Sequence, residues 1–318
     1  MTQQNTNLIV VLGPTASGKT TFAVNLAYCL KSEIISADSR QIYKGMNLGT
    51  GKDLIDYTIH NENIPYYLID ILDAGCKYNV YEYQRDFVTV FKNLTEKNIV
   101  PILCGGTGMY IEAVLKNYNL VEVPINEELR TRLDIFSDAE LIKILAEKKP
   151  LHNVSDTTFR ERTIRAIEIA DFHENNSKNI SEKPQINPII FGIRYNREIE
   201  RINITQRLQQ RLEDGMIKEV ELLLKNGVNA TNLMYYGLEY KFLTLHVTGE
   251  ISYKEMFEKL NTAIHQFAKR QMTWFRKMEK NGAKIHWIDG SETTKNKIEI
   301  AQKILLETNL RFSRNFIP

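Results

Sequence analysis

The chain is poor in cysteine and contains no long apolar run. Its three cysteines, Cys29, Cys76 and Cys104, are far apart and form no C-x-x-C pair. A disulfide framework or a structural zinc site is therefore not expected, and a reducing cytoplasm suits the chain. The apolar runs are too short for a transmembrane helix or a signal peptide, so we predict no association with a membrane.

An excess of charge of either sign is also missing, but the charge is unevenly distributed. The 318 residues carry 41 Lys and Arg against 39 Asp and Glu, a formal net charge of +2. Residues 1–115 and 116–183 are each net −2, whereas residues 184–318 are net +6. Taken alone, this charge favours solvated basic helix faces in the last segment over a surface for nucleic acid.

Short β-branched runs alternate with helical patterns in the first third of the chain. Strand patterns lie at 8–12, 33–35, 67–71 and 99–104, and helical patterns at 19–31 and 81–96. This alternation predicts an α/β fold with a parallel sheet flanked by helices, and the phosphate-binding motif that follows the first strand makes the expected fold P-loop NTPase-like.

The strand pattern stops near residue 115. We predict a core that begins with residues 1–115, a mainly helical insertion over 116–186, and a return to the core over 187–318. The returning part has strand patterns near 189–193 and 284–288, and helical patterns at 197–226 and 252–280.

A phosphate-binding motif follows the first predicted strand. Residues 13–20 match G-x-x-x-x-G-K-[ST] at every fixed position, between a strand and a helix as the motif requires. The glycines let backbone N–H groups point at phosphate oxygens, and the helix adds the positive end of its dipole. Lys19 adds a charge, and the Thr20 hydroxyl is placed to bind Mg²⁺. The predicted diphosphate-binding residues are Gly13, Pro14, Thr15, Ala16, Ser17, Gly18, Lys19 and Thr20.

Two further clusters follow predicted strands. Asp38 comes just after the second strand, and Thr107 lies within Gly105–Gly108 after the fourth. Ligands of parallel sheets bind at the carboxyl ends of strands, so both clusters are expected to face the phosphate site. Asp38 suits a magnesium ligand or a general base, and equally a turn or a helix N-cap. The glycines around Thr107 favour close approach of a ligand over a plain tight turn.

Together these segments resemble the bacterial tRNA dimethylallyltransferases, also called tRNA isopentenyltransferases. The matching segments span most of the chain in the family's order, at 13–20, 38–46, 49–52, 68–73, 105–110, 162–168 and 268–276. The resemblance implies transfer of the dimethylallyl group of dimethylallyl diphosphate to N6 of adenosine 37 in the tRNA anticodon stem-loop. The product is N6-isopentenyladenosine, and diphosphate is the leaving group.

The resemblance also implies the roles of individual residues. Asp38 corresponds to a general base near the adenine, Thr107 to a threonine near the reacting centre, and Arg207 to an arginine that neutralises diphosphate. The tRNA contacts implied are Asp38, Ser39, Arg40, Gln41, Thr107, Arg130, Glu161, Arg162 and Arg165. Arg162 and Arg165 share one helix face at i, i+3 spacing, and a solvated face is the alternative to RNA contact. Since N6 of a stacked base is out of reach, the adenosine is expected to leave its stack.

The chain departs from the family pattern at several positions. Glu161 stands where the family usually has Gln or Arg, and Asn203 where it usually has Arg. Residues 236–240 read Tyr-Gly-Leu-Glu-Tyr in place of the commoner Ile-Gly-Tyr-Lys-Glu. We expect these departures to affect RNA selection and to leave the diphosphate site intact.

Three other functions share parts of this pattern. They are an adenosine-phosphate isopentenyltransferase of the cytokinin-forming type, a P-loop small-molecule kinase and a non-catalytic P-loop RNA-binding protein. The basic 184–318 segment argues against the first, the segment at 268–276 against the second, and intact Asp38 and Thr107 against the third. We expect a monomer with no obligate protein partner.

Overall fold

The structure is a computed structural model that describes residues 5–150, 157–175 and 183–316. The chain divides into two compact units. The first comprises Met1–Tyr118 and Pro184–Pro318 and is called the core unit, and the second comprises Asn119–Lys183 and is called the insertion unit. The sequence-based boundaries at 116 and 186 lie within a few residues of this division.

A six-stranded parallel sheet forms the centre of the core unit. Its strands are β1 (Leu8–Leu12), β2 (Ile34–Ser36), β5 (Tyr66–Tyr67), β6 (Ile102–Gly105), β7 (Pro188–Arg194) and β8 (Ile285–Asp289). They pair in the order β5-β2-β6-β1-β7-β8, and every pair is parallel. A separate antiparallel hairpin joins β3 (Thr58–Ile59) to β4 (Glu62–Asn63). The predicted α/β fold with a parallel sheet is confirmed.

Helices cover both faces of the sheet. They are α1 (Lys19–Leu30), α2 (Val80–Glu96), α3 (Gly108–Leu115), α7 (Arg197–Glu213), α8 (Met216–Lys225), α9 (Ala230–Tyr235), α10 (Leu238–Val247), α11 (Tyr253–Lys280) and α12 (Thr294–Leu305). Side chains of β1 alternate between two apolar layers, with Leu8, Val10 and Leu12 in one and Ile9 and Val11 in the other. All five are fully buried, as expected for a strand covered on both faces. None of the helices in the described residues is long and apolar enough to cross a membrane.

Two sequence-based element predictions are wrong in detail. The strand expected at 67–71 ends at Tyr67, because Leu68 and Asp70 have φ angles of 60° and 55°, which strands do not adopt. Asp70 instead forms an ion pair with the buried Lys52. The helix expected at 197–226 is two helices, since Gly215 adopts a φ of 102° between them.

The insertion unit has a small core of its own. Its described helices are α4 (Glu127–Leu133), α5 (Asp138–Lys148) and α6 (Arg160–Asn175). Leucines of α4 and α5 pack against Ile164 and Ile167 of α6. The helical prediction for this part of the chain therefore holds over the residues that are described. Residues 151–156 and 176–182 lie outside them.

Candidate active site

The phosphate-binding motif forms a tight turn between β1 and α1. A Cβ added at Gly13 would lie 2.5 Å from the carbonyl oxygen of Ile193 and 2.7 Å from the Oγ of Ser17, so only glycine fits there. Ala16 and Gly18 have φ angles of 59° and 76°. These left-handed residues wind the backbone around a concave surface of the kind that binds anions.

Helix α1 begins directly from this turn. Its N-cap is Gly18, and its first turn, Lys-Thr-Thr-Phe, carries only the positive charge of Lys19. The first backbone N–H groups of a helix have no carbonyl partner within it, so this end attracts an anion. Burial lowers the pKa of the Lys19 ammonium, and the nearby guanidiniums of Arg207 and Arg211 act in the same direction, while Cys104 and Asp38 oppose them. Burial is thus the main reason why the pKa of Lys19 is lowered.

A cavity of about 910 Å³ opens at the carboxyl ends of β1, β2 and β6. Of the predicted site residues, Thr15, Ala16, Ser17, Gly18, Lys19, Thr20, Asp38, Ser39, Arg40, Gln41, Thr107 and Arg207 line it. Gly13 and Pro14 belong to the same loop and are buried. The structure thus brings together all the candidate residues of the core unit.

Asp38 and Thr107 lie on loops that are hydrogen-bonded to each other. The Asp38 Oδ1 accepts a hydrogen bond from the Arg40 N–H at 2.9 Å, which closes the turn after β2. The Thr107 Oγ1 accepts from the Ser39 N–H at 3.0 Å, and the Thr107 N–H donates to the Ala37 carbonyl at 3.1 Å. The Thr107 hydroxyl is therefore held beside the residue that follows Asp38.

Two arginines of α7 face the phosphate loop across the cavity. Nη2 of Arg207 lies 3.2 Å from Oδ2 of Asp53, and Nη2 of Arg211 lies 2.9 Å from the same oxygen. Arg211 also donates to the Leu48 carbonyl at 3.0 Å. Arg207 was predicted from the sequence, whereas Arg211 and Asp53 were not. The i, i+4 spacing of Arg207 and Arg211, which places the two arginines on one helix face, could have indicated Arg211.

The loop that carries Asp53 is anchored by one carboxylate. Glu219 of α8 accepts hydrogen bonds from the N–H groups of Asn47 and Leu48, both at 2.8 Å, and of Gly49 at 3.1 Å. Tyr240 donates its hydroxyl to the same carboxylate at 2.6 Å. This arrangement fixes the position of the loop and therefore of Asp53.

Three arginines of the insertion unit were predicted to contact RNA, and two of them are bound within the unit. Arg130 donates to both oxygens of Glu168, at 2.8 and 2.9 Å, and Arg165 donates to Glu168 at 2.9 Å and to the Val123 carbonyl at 2.6 Å. Glu168 is 2% exposed. Arg130 and Arg165 thus hold α4, α6 and the segment before α4 together.

Arg162 differs from these two arginines. Its side chain is exposed, and its guanidinium carbon lies 5.1 Å from the ring centre of Phe159, which is 60% exposed. Glu161, another predicted contact in this helix, is also exposed. Around the start of α6, the exposed side chains of Phe159, Glu161 and Arg162 thus present an aromatic ring, a carboxylate and a cation.

Comparison with known proteins identifies the family. The model of the IPP transferase family matches residues 41–278. This chain belongs to the IPP transferase family. It is 55% identical over 307 residues to tRNA dimethylallyltransferase 2 of Bacteroides fragilis, covering 96% of this chain and 100% of that protein. It is 50% identical over 300 residues to tRNA dimethylallyltransferase 1 of Geotalea uraniireducens, covering 94% and 97%.

Solved structures have the same fold as this member of the IPP transferase family. The tRNA isopentenylpyrophosphate transferase of Bacillus halodurans superposes with a TM-score of 0.69 at 29% identity, covering 95% of this chain and 96% of that one. A eukaryotic dimethylallyltransferase acting on tRNA superposes with a TM-score of 0.77 at 17% identity, covering 99% and 82%. The resemblance inferred from the sequence is confirmed.

The departure from the family pattern at 236–240 lies at the cavity. Tyr240 packs on Gly49, where an added Cβ would lie 2.6 Å from its ring, and it donates to Glu219. Glu239 lines the cavity, and burial raises the pKa of its carboxyl although Arg211 and Arg40 oppose the shift. This segment therefore adds a carboxyl group to the cavity wall and a tyrosine that supports the neighbouring loop.

Proposed function

We propose that this protein is a tRNA dimethylallyltransferase. It transfers the dimethylallyl group of dimethylallyl diphosphate to N6 of adenosine 37 in tRNA, giving N6-isopentenyladenosine and diphosphate. The observation that carries the proposal is one cavity lined by the phosphate loop and Arg207 together with Asp38 and Thr107. The 55% identity to a curated tRNA dimethylallyltransferase supports the same activity.

The phosphate loop and α7 bind the leaving group. Negative charge grows on the diphosphate as the bond from its oxygen to C1 of the dimethylallyl group breaks. Lys19, Arg207 and the backbone N–H groups at the start of α1 are placed to stabilise that charge. The negative charge of bound diphosphate opposes the effects of burial and of the two arginines on the pKa of Lys19, so its binding favours the protonated ammonium.

Magnesium fits the oxygen groups of this site. The Thr20 hydroxyl and the carboxylates of Asp38, Asp53 and Asp56 line the cavity, and Mg²⁺ prefers such oxygen donors. Within the described residues no cluster of three or more His, Cys, Asp or Glu could hold a metal by itself. We infer that Thr20 and the diphosphate oxygens hold Mg²⁺, which supplies further positive charge next to the leaving group.

Asp38 and Thr107 form the acceptor side. The N6 lone pair attacks C1, the C1–oxygen bond breaks with its electrons going to diphosphate, and Asp38 accepts the proton that N6 loses. The Thr107 hydroxyl lies beside Ser39 and helps to orient the adenine. Arg40 and Gln41 line the cavity next to these groups, while hydrogen-bonding to the carbonyls of Tyr235 and Gly51, both at 3.2 Å.

The tRNA reaches this site with its target base unstacked, since N6 must enter the cavity. In the insertion unit, exposed Arg162 and Phe159 provide a cation and a ring that suit a phosphate and an unpaired base of the stem-loop. Arg130 and Arg165 stabilise that unit through their ion pairs with Glu168.

We propose a monomer that works in the cytoplasm, where its three free cysteines stay reduced.

A labelled transfer assay tests the proposal. Purified protein is incubated with labelled dimethylallyl diphosphate and Mg²⁺ and either an anticodon stem-loop with adenosine 37 or AMP. We expect label on the stem-loop, and none on a matched stem-loop with guanosine at position 37. Label on AMP alone would establish an adenosine-phosphate isopentenyltransferase. Consumption of ATP without transfer of label would establish a small-molecule kinase.

A further inference from the structure

Gln271 of α11 connects two of the loops that line the cavity. Its Oε1 accepts a hydrogen bond from the Thr15 N–H at 2.9 Å, and its Nε2 donates to the Gly106 carbonyl at 2.9 Å. Thr15 belongs to the phosphate loop, and Gly106 directly precedes Thr107. Gln271 is 8% exposed. Each end of one buried amide group is therefore bonded to a different loop of the site.

The loop around Thr107 is built for close approach of α11. A Cβ at Gly106 would collide with Nε2 of Gln271, and one at Gly108 would collide with the Trp274 ring. Gln271 and Trp274 are three residues apart and lie on one face of the helix. Because α11 is 28 residues long, it provides a stiff support for both loops.

Glutamine suits this position for a chemical reason. The Thr15 N–H is a donor and the Gly106 carbonyl is an acceptor, so the bridging side chain needs one acceptor and one donor at its end. An amide supplies both without a charge, whereas a carboxylate lacks the donor and an aliphatic side chain lacks both. A buried donor or acceptor left without its partner is destabilising, because it has given up its hydrogen bonds to water.

We propose that Gln271 is a positioning residue that sets the separation between the bound diphosphate and the acceptor adenine. The inference rests on the proposed function, because the phosphate loop holds the donor and the Thr107 loop borders the acceptor. Reaction requires C1 and N6 to be about 3–3.5 Å apart, and a misplacement of about 1 Å costs roughly 100-fold in rate. A bridge that ties both loops to one helix limits such misplacement.

The Gln271→Glu variant tests the bridge within one folded protein. When ionised, the new carboxylate accepts from the Thr15 N–H but cannot donate to the Gly106 carbonyl. When protonated, it again offers both groups, and burial places its pKa above that of an exposed Glu. At each pH the variant's kcat is divided by the wild-type kcat. We expect this ratio to rise on the order of tenfold as the pH falls from about 8 to about 6.

Gln271→Leu and Gln266→Glu complete the test. Gln271→Leu lacks both hydrogen bonds, and we expect kcat to fall roughly 100-fold with KM for dimethylallyl diphosphate within about threefold of wild type. Its low kcat should stay low at every pH. Gln266 is exposed on the same helix, so Gln266→Glu introduces the same charge without touching the bridge. We expect that control to retain the wild-type pH profile.

Several results would overturn the role of Gln271. They are a flat kcat ratio for Gln271→Glu across pH, an effect on KM alone, or a wild-type kcat in Gln271→Leu. An effect on KM alone would indicate charge repulsion of the diphosphate and no change of separation. All ratios are taken against the wild type, so a wild type that fails to label the stem-loop would instead reject the proposed function.

Discussion

Arg207 and Asp53 form an ion pair at the wall of the cavity, with 3.2 Å between Nη2 and Oδ2. Arg211 shares the same oxygen at 2.9 Å. The carboxylate therefore presents the two guanidiniums next to the phosphate loop, and planar guanidiniums bind phosphate oxygens through paired hydrogen bonds. This arrangement supports the proposal that α7 binds the leaving group.

Arg207→Ala should lower kcat/KM for dimethylallyl diphosphate roughly 100-fold, because one charged donor to the leaving group is lost. Arg207→Lys keeps the charge without the planar fork, so its activity should be intermediate. Steady-state transfer to a saturating stem-loop measures both. Arg85→Ala is the control, since Arg85 is an exposed arginine of the core unit that pairs with Asp86. An equal loss in the control would contradict the role of Arg207.

Asp38→Asn should abolish most of the activity without weakening tRNA binding. The asparagine Oδ1 can still accept from the Arg40 N–H, so the turn after β2 is kept, but the side chain can no longer take a proton. General bases contribute about 100- to 10,000-fold, and we expect kcat to fall within that range. Asp38→Ala should be similarly slow. Dissociation constants for the stem-loop, measured beside kcat, separate catalysis from binding. Equal losses in kcat and affinity would remove Asp38 from the role of base.

Arg162→Ala and Arg165→Ala should have different consequences despite their i, i+3 spacing. Loss of the exposed Arg162 should weaken stem-loop binding and reduce the salt slope by about 0.7 to 0.9, the value for one phosphate contact. Loss of Arg165 should lower the unfolding free energy of the insertion unit by about 2 kcal/mol, because Glu168 loses a charged hydrogen bond. Salt titrations of binding and denaturation curves distinguish the two. An unchanged salt slope in Arg162→Ala would contradict the phosphate contact.

The Glu168 network should make the insertion unit sensitive to acid. Burial acts to raise the pKa of the Glu168 carboxyl, but hydrogen bonds from Arg130, Arg165 and the Asn126 N–H outweigh it and lower the pKa to about 2. An unfolded Glu has a pKa of about 4.3. A group with a lower pKa in the folded state contributes stability above its unfolded pKa and loses it as pH falls through the folded value. The unit should therefore lose stability as the pH falls from about 4.3 to about 2.

Hydrogen exchange of α6 peptides measures this loss. Wild type and Glu168→Gln are compared at each pH, so that the intrinsic pH dependence of exchange cancels. We expect α6 of wild type to be better protected than that of the variant at neutral pH, and the difference to disappear at low pH. A difference that stays constant down to about pH 2 would show that the carboxylate does not stabilise the unit through its ionised form.

Features that depend on neighbouring residues in the chain could be predicted. The apolar run of β1 predicted a strand covered on both faces. Gly13 and Gly18, at the spacing of the phosphate motif, predicted the turn between this strand and α1. Asp38 was placed at the cavity because carboxyl ends of parallel strands share one edge of the sheet. Prediction failed at residues 68–71, where an apolar run suggests a strand but left-handed φ angles and the Lys52 ion pair end it.

The amino-acid sequence alone determined the α/β class, the phosphate loop and the family, since each rests on local pattern and residue order. Tertiary structure decided which polar groups have partners. Arg130, Arg162 and Arg165 look alike in sequence, but the buried Glu168 binds only Arg130 and Arg165 of these three. The bridging position of Gln271 could be inferred only from the tertiary structure, where its side chain accepts a hydrogen bond from Thr15, 256 positions away in the chain. A hydrogen bond depends on distance in space, and sequence separation does not specify that distance.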